Sequence, residues 1–153
     1  MADFTLSGYK VTPVTVAWTS GQDLHSLTDG EATDLSDAVD NGTNLYALAD
    51  VEVYIPSAAF TGSDASLVMY LVPSVDGTNY MSWSGNTTSP EQHNENYRKQ
   101  TAFLRSSTGV VRVSFDNIAL YNGLQKFAFR SYANVTLPAT GITVKYRPHQ
   151  LTT

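Results

Sequence analysis

Residues 67–80 read LVMYLVPSVDGTNY, a strand apolar on both faces that runs into a proline and then an Asp-Gly turn. Side chains alternate along extended backbone, so Val68, Tyr70 and Val72 point to one side and Leu67, Met69 and Leu71 to the other. No side is left for water, which is the pattern of a strand inside a sandwich. Pro73 cannot donate to a ladder and ends the run. Asp76-Gly77 then supplies a tight reversal, Gly by reaching positive φ without a Cβ clash and Asp by bonding nearby backbone. Nothing in this stretch is reactive, so it specifies a scaffold rather than a chemistry.

Working outward, a period of two recurs nearly everywhere. From Leu45 to Ile55 the odd positions Leu45, Ala47, Ala49, Val51, Val53 and Ile55 are apolar while Asp50 and Glu52 fall between them, the alternation of a half-buried strand. Val111, Val113 and Phe115 repeat it, as do Phe127 with Phe129, and Ile142, Val144 and Tyr146. Val14, Val16 and Trp18 do so near the front, where Pro13 marks an edge strand or a strand start. Turn signals separate these runs at Ser20–Asp23, Asp40–Gly42, Asp76-Gly77, Asn122-Gly123 and Thr140-Gly141. The count predicts an all-β fold, an antiparallel jelly-roll or β-sandwich of about eight strands. At most one short helical turn is expected, in the acidic stretch Asp29–Asp40, with Thr33 as its cap and Leu35, Ala38 and Val39 inward. Met81–Gln100 is expected to be a long irregular loop.

A chain of 153 residues suits a single domain, which at this size buries about 68–70 % of its unfolded surface. Only 15% of residues are charged against 42% hydrophobic, which argues against disorder. The net charge of −5 argues against a nucleic-acid partner, because phosphate binding draws its affinity from Lys and Arg. The chain has no cysteine, so stability rests on packing, as suits a reducing cytosol. No apolar run approaches a membrane span, and the first ten residues, MADFTLSGYK, do not read as a signal peptide. Charge is uneven: ten acids and one base precede Ala65, while four acids and eight bases follow from there. Either the halves interleave and their charges pair or sit in water, or an acidic and a basic edge meet across copies or against a larger surface.

A search for chemistry finds little. The three histidines, His25, His93 and His149, show no metal-ligand spacing, and His93 sits between Glu91 and Glu95 in the long loop. No nucleophile elbow, phosphate-cradling Gly loop or DxDxDG calcium spacing is present. No catalytic residue, metal site or cofactor is therefore expected. What remains is contact chemistry. Tyr80, Trp83, Tyr97 and Arg98 are side chains of the kind that dominate interface energies. They suit a partner-facing loop, a stacking platform for sugars, or residues folded back to cover an end of the barrel. In residues 1–10, Phe4, Leu6 and Tyr9 suit either a strand added to a neighbour's open edge or a first strand of the chain's own sheet.

Three segments, Asp40–Ile55 (DNGTNLYALADVEVYI), Ser66–Tyr80 (SLVMYLVPSVDGTNY) and Lys126–Pro148 (KFAFRSYANVTLPATGITVKYRP), resemble the jelly-roll capsid decoration, or cement, proteins of tailed bacteriophages. In that family a TNL strand, a YLVPSxDGTNY segment and a closing LPASGxTxKxRPY-like strand recur in this order. The closing motif departs here as Arg147-Pro148-His149, and the first forty residues match only loosely. The resemblance implies a noncatalytic virion protein, assembled in the host cytoplasm, that binds the major capsid protein on the outer capsid surface. It also implies self-association, with a homotrimer ahead of a dimer; Phe4, Tyr9, Tyr80, Trp83, Tyr97 and Arg98 are the candidate partner-binding residues on their own contact chemistry. A tail or baseplate component, and a carbohydrate-binding module, are the alternative readings.

Overall fold

A computed structural model describes residues 11–60, 63–83, 97–104 and 107–149. Eight strands follow in order: β1 Val14–Val16, β2 Val39–Asp40, β3 Leu48–Phe60, β4 Ser66–Pro73, β5 Arg98–Phe103, β6 Ser107–Ala119, β7 Leu124–Tyr132 and β8 Thr143–His149. They form two four-stranded antiparallel sheets, ordered β1-β8-β3-β6 (sheet A) and β2-β7-β4-β5 (sheet B). The first half of the chain thus lies against the second in reverse order, β1 on β8, β2 on β7, β3 on β6 and β4 on β5, and successive pairs alternate between sheets. This is a long antiparallel ribbon rolled up once, the jelly-roll arrangement.

The core lies between the sheets. Sheet A contributes Val51, Val53, Ile55 and Phe115, and sheet B contributes Leu67, Met69, Leu71, Phe127 and Phe129, each at most 1% exposed. Phe129 meets Trp18 and Phe115 with ring centroids 6.2 and 6.0 Å apart. As the sequence predicts, β4 is buried on both faces. Its outer-facing Val72 is as inaccessible as its inward neighbour Leu71.

Asp76 makes the turn after β4. Its carboxylate accepts the N–H groups of Thr78 (2.8 Å) and Asn79 (2.7 Å) and the Asn79 side-chain amide (2.7 Å). These donors, Asn79 foremost, hold the Asp76 carboxyl well below the usual carboxylate range.

Two sequence expectations change. The third strand starts at Leu48, because Leu45 adopts φ 49° in a turn whose Asn41 side chain bonds Tyr46 on both its N–H and its carbonyl. Leu45 consequently stands 52% exposed. The acidic stretch Asp29–Asp40 forms no helical turn and instead runs along the free edge of β7. There the Thr33 and Ser36 N–H groups donate to the Phe129 and Phe127 carbonyls, both at 2.8 Å. In return Phe129 N–H donates to the Thr33 hydroxyl (3.0 Å) and Phe127 N–H to the Ser36 hydroxyl (2.8 Å). Side-chain oxygens have replaced backbone carbonyls as acceptors in the ladder, an exchange that short hydroxyl side chains permit. The displaced Thr33 carbonyl is taken by Trp83 Nε1 (2.7 Å), and the neighbouring Asp34 carbonyl accepts from Trp18 Nε1 (2.9 Å).

Candidate functional site

Four of the six candidate contact residues lie in described parts of the chain, and sheet B positions all four. Phe4 and Tyr9 lie outside the described residues, as does His93 with its flanking acids. Val68, Tyr70 and Val72 point outward from β4, and the chain leaving the Asp76 turn comes back over this face. Trp83 packs on Tyr70 with centroids 5.1 Å apart and on Tyr97 at 5.9 Å. The Tyr97 hydroxyl donates to the Ser82 carbonyl, closing the cluster. Tyr80 bridges to Ser74 and lies under the Lys126 ammonium, 4.7 Å from its ring centroid. Partial burial pushes the Tyr80 hydroxyl pKa up.

Trp83 and Tyr97 do fold back, over the outer face of sheet B rather than an end of the barrel. The Trp83 ring stands at 59° to Tyr70 and at 65° to Tyr97, and its indole N–H donates to the Thr33 carbonyl. Arg98 lies apart from this cluster. Its guanidinium sits 3.9 Å from the Tyr121 ring centroid and donates to the Ala119 carbonyl, stapling β5 of sheet B to the end of β6 in sheet A.

The expected loop Met81–Gln100 ends early, because β5 begins at Arg98. Arg98, Gln100 and Ala102 face inward opposite Leu71, Met69 and Leu67, which leaves Lys99, Thr101 and Phe103 exposed on the outer face. Phe103 is 71% exposed. Across Ser66 from it, on the same face, stands Tyr132 at 40%. Sequence reasoning missed Lys99, Thr101, Phe103 and Tyr132; the strand-favouring Thr101 and Phe103 were the local signal that could have placed a strand there.

The charged groups are largely engaged in local structure. Strand β3, from the acidic half, lies between β8 and β6 from the basic half, and Glu52 pairs with Arg112 at 2.6 Å. Asp29, Glu31, Asp34, Asp37 and Asp40 accept backbone N–H groups from Asn134, Thr28, Gln22, Thr19 and Gly42. The bonds from Thr28 and Thr19 hold the Glu31 and Asp37 carboxyls below their ordinary values.

His25 is used at both ring nitrogens. Nδ1 lies 2.7 Å from the Asp23 carboxylate and Nε2 accepts the Ile142 N–H at 3.1 Å, so both are already engaged. A polar dish of about 360 Å³ on the outer face of sheet A sets Asp50, Glu52 and Asp116 beside Lys145 and Arg147, mixing the two signs strand by strand. Among the described residues no three His, Cys, Asp or Glu side chains gather as metal ligands would. Compared with known proteins, the chain matches no family model, no curated protein and no solved structure.

Proposed function

We propose that this chain is a noncatalytic structural protein of a tailed-phage virion, one that binds the outer capsid surface and stabilises the joints between capsomers. The observation that carries the reading is where the three family-like segments fall. Asp40–Ile55 runs into β3, Ser66–Tyr80 is β4 with its Asp76 turn, and Lys126–Pro148 is β7 and β8. These are the four inner strands, β8 beside β3 in sheet A and β7 beside β4 in sheet B. The resemblance therefore covers the middle of the sandwich as one spatial unit rather than scattered surface strings.

The disposition of reactive groups supports the same reading. Acids, histidine and arginine cap turns, hold loops or join sheets, while aromatic and apolar side chains are left on the outer face of sheet B. A protein of this kind acts through extended surfaces, and each weak contact gains from being repeated over many copies.

Co-sedimentation with undecorated shells tests the proposal. Saturation at a fixed number of copies per capsomer joint supports it, binding to tails alone transfers the chain to the tail, and binding to neither removes the virion reading.

A further inference from the structure

The two sheets end in four edge strands, β1, β6, β2 and β5, and three of the four carry features that discourage pairing with another chain. Strand β1 has three residues and follows Pro13. Strand β2 has two residues, and the chain before it meets β7 through hydroxyl groups rather than as a regular strand. Strand β6 is long but broken by two register shifts, with Gly109 at φ 100° and Asn117 at φ 55°.

Strand β5 differs. Its six residues pair with β4 in unbroken register from Ser66↔Phe103 to Leu71↔Arg98, with no proline, glycine or bulge. Its outer face presents Lys99, Thr101 and Phe103 to solvent. A regular, exposed edge of this kind is a template for a further strand.

We infer that β5 is a self-association edge, to which β5 of a second copy adds antiparallel about Thr101, fusing two four-stranded sheets into one of eight strands. The outward side chains are self-complementary in that register. A two-fold axis through Thr101 sets Lys99 of each copy beside Phe103 of the other, an ammonium next to an aromatic ring, and sets Thr101 against its own counterpart. Lys99 is the only charged side chain on the outer face of β5, and this register meets it with an aromatic ring rather than with the lysine of the other copy.

Six residues of edge bury less than the ~800 Å² per partner of a standard stable interface, so the dimer is expected to dissociate in roughly the micromolar range. The inference does not depend on the capsid reading. A dimer that ignores shells would keep the one and discard the other.

The chain has no cysteine, which makes cross-linking a clean test. Thr101→Cys is expected to oxidise to a covalent dimer, because the two sulfurs would face each other across the axis. Val75→Cys, on a side chain 95% exposed in the turn after β4, should remain monomeric under the same conditions. Sedimentation velocity on the full chain should show a concentration-dependent dimer. Phe103→Lys, which opposes lysines across the axis at a solvent-exposed position, should weaken it at least ~10-fold without lowering the melting temperature. A monomer at every concentration, a trimer, or equal cross-linking at positions 75 and 101 would overturn the inference.

Discussion

Replacing Thr33 with Val tests whether a hydroxyl in the β7 ladder holds the acidic segment in place. The substitution hardly changes volume, keeps the branched Cβ that suits extended chain, and is apolar at a site with no solvent exposure. On burial alone it should stabilise. The structure assigns the opposite sign. Phe129 N–H donates to the Thr33 hydroxyl at 3.0 Å, and Phe129 is completely buried beneath the sheet. Without that oxygen the N–H has no acceptor, which costs about 1–3 kcal/mol. For a domain of this size that corresponds to a fall in Tm of roughly 2–12 °C. Thr33→Ser keeps the acceptor and sacrifices one methyl, about 0.8 kcal/mol. Urea unfolding followed by tryptophan fluorescence should therefore rank wild type above Ser and Ser above Val. A Val variant as stable as wild type, or more so, would refute the hydroxyl-for-carbonyl exchange.

Trp83→Ala removes the ring packed on Tyr70 and the bond to Thr33 O; it should cost about 2–3 kcal/mol by the same unfolding assay, whereas a solvated loop tryptophan would cost under about 0.5. A Cβ at Gly21 would lie 2.8 Å from Asp34 Cβ with φ at +85°, while one at Gly77, φ +76°, meets nothing within 4 Å. Calorimetry should show Gly77→Ala losing about 1–2 kcal/mol for its left-handed backbone and Gly21→Ala losing distinctly more. Acid should destabilise the fold through Asp76, Asp37 and Glu31. Their folded carboxyls titrate below their unfolded values, so the unfolded chain binds protons first and stability present above about pH 4–5 is lost as pH falls through the folded range. Asp76→Asn should flatten that decline in a urea-midpoint series between about pH 5 and pH 2, and an unchanged slope would contradict the assignment.

The sandwich was legible because its central strands turn apolar residues spaced two apart toward the core, as in Val51, Val53, Ile55 and in Leu67, Met69, Leu71, and β4 carries them on its outer face as well. That signal is local. The acidic stretch misled because Thr33 followed by Leu35, Ala38 and Val39 resembles a capped helical turn, and its true partners lie on β7, 96 positions away for Thr33 and 91 for Ser36. A hydroxyl that caps a helix and one that replaces a ladder carbonyl look identical until the neighbouring strand is known. Strand β5 was overrun by the expected loop because its inward residues include Arg98 and Gln100, polar groups admitted where the sandwich opens toward β6. The same strand carries Phe103, so the edge most suited to association was the one the pattern hid. Trp83 and Tyr97 read equally as partner-facing residues and as rings folded back over an end of the barrel, because nothing in their own segment reveals that Tyr70 points outward beneath them.

The claim at the centre of this account is that the chain strengthens a protein shell by occupying its surface. The direct measurement is the temperature at which undecorated shells disassemble, followed by light scattering with and without a saturating amount of the purified protein. The account predicts a higher disassembly temperature that rises with occupancy and then levels off as the joints fill. Shells that bind the protein yet come apart at the same temperature would contradict it.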